Sequence, residues 1–132
     1  MTGYAIVLAS GELERLQAVA NIASVAAVSD IPIAVFATMD GLEAFDIDTV
    51  ESRSFQGGEI AQAMMENEDI EVPLFTESFE RAKDIGDCSL YACELSMDLL
   101  GKEIDDYVPL FDDVLGVSGF LSMAEDKQVI FV

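Results

Sequence analysis

Histidine is absent from the chain. That excludes Ser/His triads, Cys/His proteases, imidazole metal sites and imidazole acid–base catalysis. Cations are scarce as well: 6 Lys plus Arg stand against 26 Asp plus Glu, for a formal charge of −20. Such a surface repels the phosphate backbones that bind through Lys/Arg neutralisation, so neither nucleic acid nor an anionic membrane is expected as a partner. Two cysteines are too few for a disulfide framework and read as reduced thiols. Long hydrophobic runs are missing too. The opening MTGYAIVLAS has no basic segment leading into an apolar stretch of signal length, and the longest uncharged run, Leu16 to Ser29, is diluted by Ala, Ser and Asn. Neither a signal peptide nor a membrane span is expected, and the chain reads as cytoplasmic.

The phosphate-binding glycine motifs are absent. ASGELER, after the first apolar run, lacks the G-x-G-x-x-G spacing of a dinucleotide site, and no G-x-x-x-x-G-K-[ST] loop occurs. The acidic runs ENEDIE and EIDD have neither the alternating ligands nor the central glycine of an EF-hand loop, so both read as solvated surface. Nothing in the sequence calls for a metal or an organic cofactor.

What is present is a core. At 132 residues with 52% hydrophobic composition, the chain is expected to form one domain over residues 1–132, and the charge is not a sign of disorder. An acidic, lysine-poor surface reads as salt adaptation, as in halophile proteins, because molar salt shortens the Debye length to about 3 Å and screens the self-repulsion.

The hydrophobic pattern is that of an α/β protein. YAIVLAS (Tyr4 to Ser10) is a short buried strand running into a turn. From Glu12 to about Ser29, Leu13, Leu16, Ala20, Ala23 and Ala27 recur at helical spacing, with Glu14, Arg15, Gln17 and Asn21 facing elsewhere. IPIAVFAT (Ile31 to Thr38) is a second buried strand and completes a right-handed βαβ unit. The middle reads as loops with one or two short helices, Glu59 to Asn67 the clearest. Thr76 is placed to cap a helix that turns Phe79 and Ala82 inward and ends at Gly86. CSLYAC (Cys88 to Cys93) is the third strand, followed by a helix from Leu95 to Leu100 closed by Gly101. A short strand at Val114–Leu115, a Gly116–Gly119 turn, a helix to about Ala124 and the strand QVIFV follow. The expected architecture is a mainly parallel five-stranded sheet with helices on both faces, a three-layer α/β/α Rossmann-like domain.

Chemistry in such sheets sits beyond the carboxyl ends of the strands, and Cys93 falls there. A helix starting behind it aims free N–H groups at the sulfur and favours thiolate, while Glu94 beside it pushes the other way. Free cysteine also packs well as a small hydrophobe, so packing and reactivity both remain open for Cys93. Cys88, at the other end of the strand, lies about 16 Å away at 3.3 Å per residue, on the opposite face. That exceeds disulfide reach, and Cys88 reads as core. Met64 and Met65 could line an apolar mouth over a sulfur site or fill the core.

The run Ala92, Cys93, Ser96, Met97, Asp98, Gly101, in AC-x-x-SMD-x-x-G after a buried strand, resembles the cysteine segment of the DsrE/DsrF-like sulfur-carrier family, in particular its peroxiredoxin-related branch. The opening strand and helix, KEIDDYV and the glycine-containing VLGVSGFL extend the likeness, with the usual glycine pair of that turn reading Gly116-Val-Ser-Gly119. The resemblance implies a homo-oligomer whose Cys93 accepts sulfane sulfur as a persulfide or thiosulfonate and relays it to a partner protein. Ser10, Thr38, Glu94, Ser96, Gly116 and Gly119 would line that site. A strand order of 3-2-1-4-5 is expected, with the Cys93 strand at an edge near the oligomer interface. Thiol–sulfane exchange needs no metal or cofactor, so the chain is either a sulfurtransferase or a stoichiometric carrier. The alternative is a non-catalytic interaction or regulatory subunit that keeps the fold and buries its thiol.

Overall fold

A computed structural model describes residues 2–66 and 72–132. Its elements run β1 (Tyr4–Leu8), α1 (Leu13–Val28), β2 (Ile33–Ala37), α2 (Met39–Glu43), α3 (Ile47–Ser52), α4 (Glu59–Glu66), α5 (Phe75–Ile85), β3 (Cys88–Cys93), α6 (Glu94–Leu100), β4 (Asp113–Leu115), α7 (Val117–Met123) and β5 (Gln128–Phe131). All strand pairings are parallel, and the order is β4-β3-β2-β1-β5. The domain is a three-layer α/β fold of the Rossmann-like kind.

The order corrects one expectation. β3 is not an edge strand, because the three-residue β4 pairs Tyr91↔Asp113, Ala92↔Val114 and Cys93↔Leu115 and covers its carboxyl half. Asp112 anchors that pairing: its N–H donates to the Leu90 carbonyl at 2.7 Å and its carboxylate accepts from Leu90 N–H at 2.8 Å and from Lys83.

Connection handedness sets what lies on each face. Successive steps β1 to β2 to β3 to β4 move in one direction, so right-handed crossovers put their helices on one side; the step from β4 back to β5 reverses direction and puts α7 on the other. The burial pattern agrees. On the thick face α1, α2, α4 and α5 close over Ile6, Leu8, Val35, Leu90 and Ala92, with α6 adding Met97. On the thin face Ala5, Phe36 and Cys93 meet Phe120 and Ala124 of α7. Phe36 and Phe120 stack there at 4.8 Å. A phenylalanine group seals the thick face, Phe45 lying edge-on to Phe75 at 5.1 Å and to Phe111 at 5.2 Å.

Several local readings shift. β2 begins at Ile33 rather than Ile31, because Pro32 has no N–H for the ladder and instead accepts from Tyr4 N–H at 3.0 Å. Gln17 is buried, not outward: one turn after Leu13, it donates to Asn21 at 3.0 Å. α5 starts at Phe75 with Leu74 as its cap, so Thr76 lies inside the first turn; the buried Phe75 ring fixes the start. Gly116 caps α7 and Gly119 lies within it, so the pair is not a turn. Met64 and Met65 pack against the thick-face core, away from Cys93. The expected last residue of α4, Asn67, and all of ENEDIE but Glu66 lie outside the described residues.

After α6, Gly101 adopts the left-handed conformation at φ 63° that lets the chain turn back. Lys102 then pairs with Glu43 and, at 2.9 Å, with Asp46, while Tyr107 donates to Glu43 at 2.6 Å. This partly buried group ties the segment after α6 to α2 and α3. Burial of Asp46 works against its charge, but hydrogen bonds from Lys102 and from the Thr49 and Asp48 N–H groups hold its carboxyl below the usual range.

Candidate functional site

Strand alternation divides the two thiols. Cys88, Leu90 and Ala92 point to the thick face; Tyr91 and Cys93 point to the thin one. Burial pushes the Cys88 thiol up to about 11, the nearby Lys83 ammonium only partly opposing it while Asp112 and Asp87 add to it. That thiol packs in the thick-face core.

Cys93 is in a different environment although it is just as hidden, with 1% of its surface exposed. It is the residue before α6, so the N–H groups of Leu95 and Ser96 open toward it, without closing a capping bond. Burial is the largest single influence and pushes its thiol up. The hydroxyls of Ser96 and Thr38, helped by the N–H groups of Ser96 and Leu95, outweigh it and hold the thiol below its ordinary value. Glu94 is exposed and directed to solvent.

Two strand ends build this polar lining. Thr38 follows β2 and Ser96 sits in the first turn of α6; both are buried, and their hydroxyl oxygens lie 3.4 Å apart. Gly116 follows Leu115, the register partner of Cys93, and so borders the same strand end. Gly119 faces Leu115 across α7, where a Cβ would meet that side chain at 3.3 Å. Ser10 is not brought to the thiol: its hydroxyl accepts from Glu12 N–H at 3.1 Å in the turn before α1.

The sequence reading missed Met39. Its N–H donates to Ser96 Oγ at 2.8 Å and its thioether lies 3.8 Å from the same oxygen. No residue-type signal marks it, because its part comes from the backbone: φ is 52° at the first residue of α2.

The site does not lie where the strand order reverses, between β1 and β5, but two strands away. The polar cavity at the ends of β1 and β2, lined by Gly11, Asp40, Glu43, Thr49, Ser54 and Gln56 among others, has a volume of about 140 Å³ and does not include Cys93. Among the described residues no cluster of three or more His, Cys, Asp or Glu could hold a metal ion, and no helix is long and apolar enough to cross a membrane.

Comparison with known proteins bears on the whole chain. The solved structure of a protein of unknown function from Methanobacterium thermoautotrophicum is similar at a TM-score of 0.66 with 15% identity, covering 100% of both chains, which supports the fold. No curated protein matches. Residues 53–132, which hold β3, Cys93, α6 and the return through α7 to β5, match the family described as DsrE/DsrF/DrsH-like, and by that match the chain belongs to it.

Proposed function

We propose that this chain is a cytoplasmic sulfur carrier that takes sulfane sulfur onto Cys93 and passes it on. The observation that carries the reading is the contrast between two buried thiols of one strand, one pushed up to about 11 and one held below its ordinary value by converging donors. A thiolate is the species that attacks sulfur. With a polysulfide, Cys93 Sγ bonds to a sulfane sulfur and the rest of the chain leaves as the shorter anion, giving a persulfide. With thiosulfate, sulfite leaves. With tetrathionate, thiosulfate leaves and a thiosulfonate remains. The reverse exchange with an acceptor thiolate, on a small molecule or a partner protein, discharges the carrier without metal or organic cofactor.

We also read the thin face as a surface for a second copy of the chain. Val129 and Phe131, in register with Ala5 and Val7, are 50% and 75% exposed, and Val117 and Leu121 of α7 are exposed beside the same layer. Light scattering should give a homo-oligomer; a monomer at working concentration would remove this part of the reading.

The 1% exposure of Cys93 favours the second reading, a non-catalytic subunit with a buried thiol. Intact mass after incubation with polysulfide, thiosulfate or tetrathionate separates the two. A carrier gains reductant-labile mass that Cys93→Ser abolishes and Cys88→Ser keeps. No gain, or a gain that survives Cys93→Ser, leaves the buried-thiol subunit.

A further inference from the structure

The two edges of the sheet are guarded differently. β4 is three residues long and begins with the exposed Asp113, and shortness and charge are common means of keeping an edge from pairing with another chain. β5 has no such charge. Its run Gln128-Val129-Ile130-Phe131-Val132 is uncharged in a chain whose net charge is −20, and the charges just before it, Asp126 and Lys127, pair with each other at 3.2 Å.

β5 also has backbone groups to offer. Gln128 N–H donates to the Gly3 carbonyl at 3.1 Å and Val132 N–H to the Val7 carbonyl at 2.8 Å, so by strand alternation the N–H and C=O groups of Val129 and Phe131 point away from β1. Among the described residues no strand lies on that side. The Val129 and Phe131 side chains stand exposed on the thin face, while Ile130 packs against the thick-face core. On the thick side the apolar surface continues: Tyr4, the register partner of Gln128, borders a groove of about 410 Å³ with Asn21, Ile22, Val25, Ala26 and Ile31.

We propose that β5 pairs antiparallel with β5 of a second copy of the chain, about a twofold axis at Ile130, so that two sheets become one. The inference rests on the reading of the thin face as a surface for a second copy and names the strand that makes the contact. Charge selects this occupant. Two chains at −20 repel each other through any acidic side, and a basic partner is drawn to that acidic surface, whereas a second β5 brings an uncharged strand to an uncharged strand. The strand is also complementary to itself. With Ile130 opposite its own copy, Val129 lies opposite the second copy's Phe131 and exchanges both backbone hydrogen bonds with it, and the twofold repeats that pair. A small side chain thus meets a large one twice on the thin face. Cys93 stays clear of the contact: β2 and β1 lie between β3 and β5, which sets the two thiols about 34 Å apart across the joined sheet at a strand spacing of about 4.8 Å.

The test is disulfide trapping in the full chain carrying Cys88→Ala and Cys93→Ser, in 1 M KCl. Ile130→Cys puts two thiols face to face at the twofold, where the Cα atoms of a non-hydrogen-bonded pair stand about 4.5 Å apart, and mild oxidation should give a covalent dimer. Val129→Cys, offset by two residues from its own copy, lies beyond that reach and should give at least tenfold less. Without added cysteines, light scattering should show an even number of chains. Val129→Pro, which removes an N–H that β1 does not use, should raise the dissociation constant at least tenfold with the circular dichroism signal kept. Hydrogen exchange needs no variant and decides where one fails to fold: the Val129 and Phe131 amides should exchange at least tenfold more slowly in the assembled chain than after dilution to monomer. An oligomer with an odd number of chains, with no cross-link in a folded Ile130→Cys, with association untouched by a folded Val129→Pro, or with both amides unprotected would overturn the edge pairing and leave the thin face to pair through Val117 and Leu121. A monomer at working concentration would remove both readings.

Discussion

The two faces of the sheet are built from the same strands and differ in what the chain puts over them. Among the described residues, α1, α2, α4, α5 and α6 bury side chains on the thick face together with a phenylalanine seal, while α7 packs on the thin face, which keeps Val129 and Phe131 in the open. Cys88 and Cys93 sample the two sides from one strand. Exposure ranks Cys88 as the more accessible, at 7% against 1%, while the electrostatic surroundings rank Cys93 as the more ionised. The difference teaches that depth alone does not decide thiol chemistry. What decides it is whether the walls are hydrocarbon or hydrogen-bond donors.

Four measurements break or sharpen that contrast. The largest effect is on packing. Phe79→Ala, in the fully enclosed layer, should cost about 4 kcal/mol in urea unfolding, and Phe120→Ala, which loses one stacked partner beside solvent, should cost less. Equal costs would mean that the thin face is closed more tightly than its single helix indicates.

The second measurement is native alkylation at pH 8. A thiol pushed up to about 11 is ionised to about one part in a thousand there, so Cys93 should react on the order of a hundredfold faster than Cys88. If Cys88 reacts faster, exposure governs and the donor-lined site loses its meaning.

The third is alkaline stability. Cys88 stays protonated when folded but ionises at the ordinary value when unfolded, so the unfolded chain holds fewer protons and stability falls as pH rises from about 9 toward about 11. The loss should approach about 2–3 kcal/mol, and Cys88→Ala should flatten that part of the curve. Cys93, held below its ordinary value, has the opposite sign: it adds stability above the ordinary thiol range and loses it as pH falls through its folded value.

Salt gives the smallest effect. The −20 net charge repels itself, so the thermal midpoint should rise from 0.1 M to 1 M KCl as the Debye length shortens from about 10 Å to about 3 Å, with the Cys93 to Cys88 rate ratio unchanged. A midpoint flat across that range would remove salt adaptation as the reason for the charge.

Legibility in the sequence followed local burial. β1, β2, β3 and α1 are spelled by uninterrupted apolar runs or a clean helical repeat, and CSLYAC begins and ends where β3 does. β4 was legible as a short strand but not as a neighbour of β3, because three residues carry no pattern that says where they pair; an aspartate side chain, Asp112, does much of that work. The site divided the same way. Cys93 and Ser96 stand in a recognisable run, and Thr38 lies at a strand end. Met39 meets Ser96 through a backbone N–H at a positive φ, two residues before Gly41 rests on the Leu8 carbonyl, and no composition or spacing encodes an angle.

The crossover from β4 to β5 spans the width of the sheet and closes the thin face with the last helix and strand in chain order. This has a meaning in time. In chain order the thick face gains its last buried residues, Tyr107 and Leu110, before the Phe120 ring that covers the layer beside Cys93 is made. The layer beside Cys93 is therefore the later of the two to be closed in the order of synthesis.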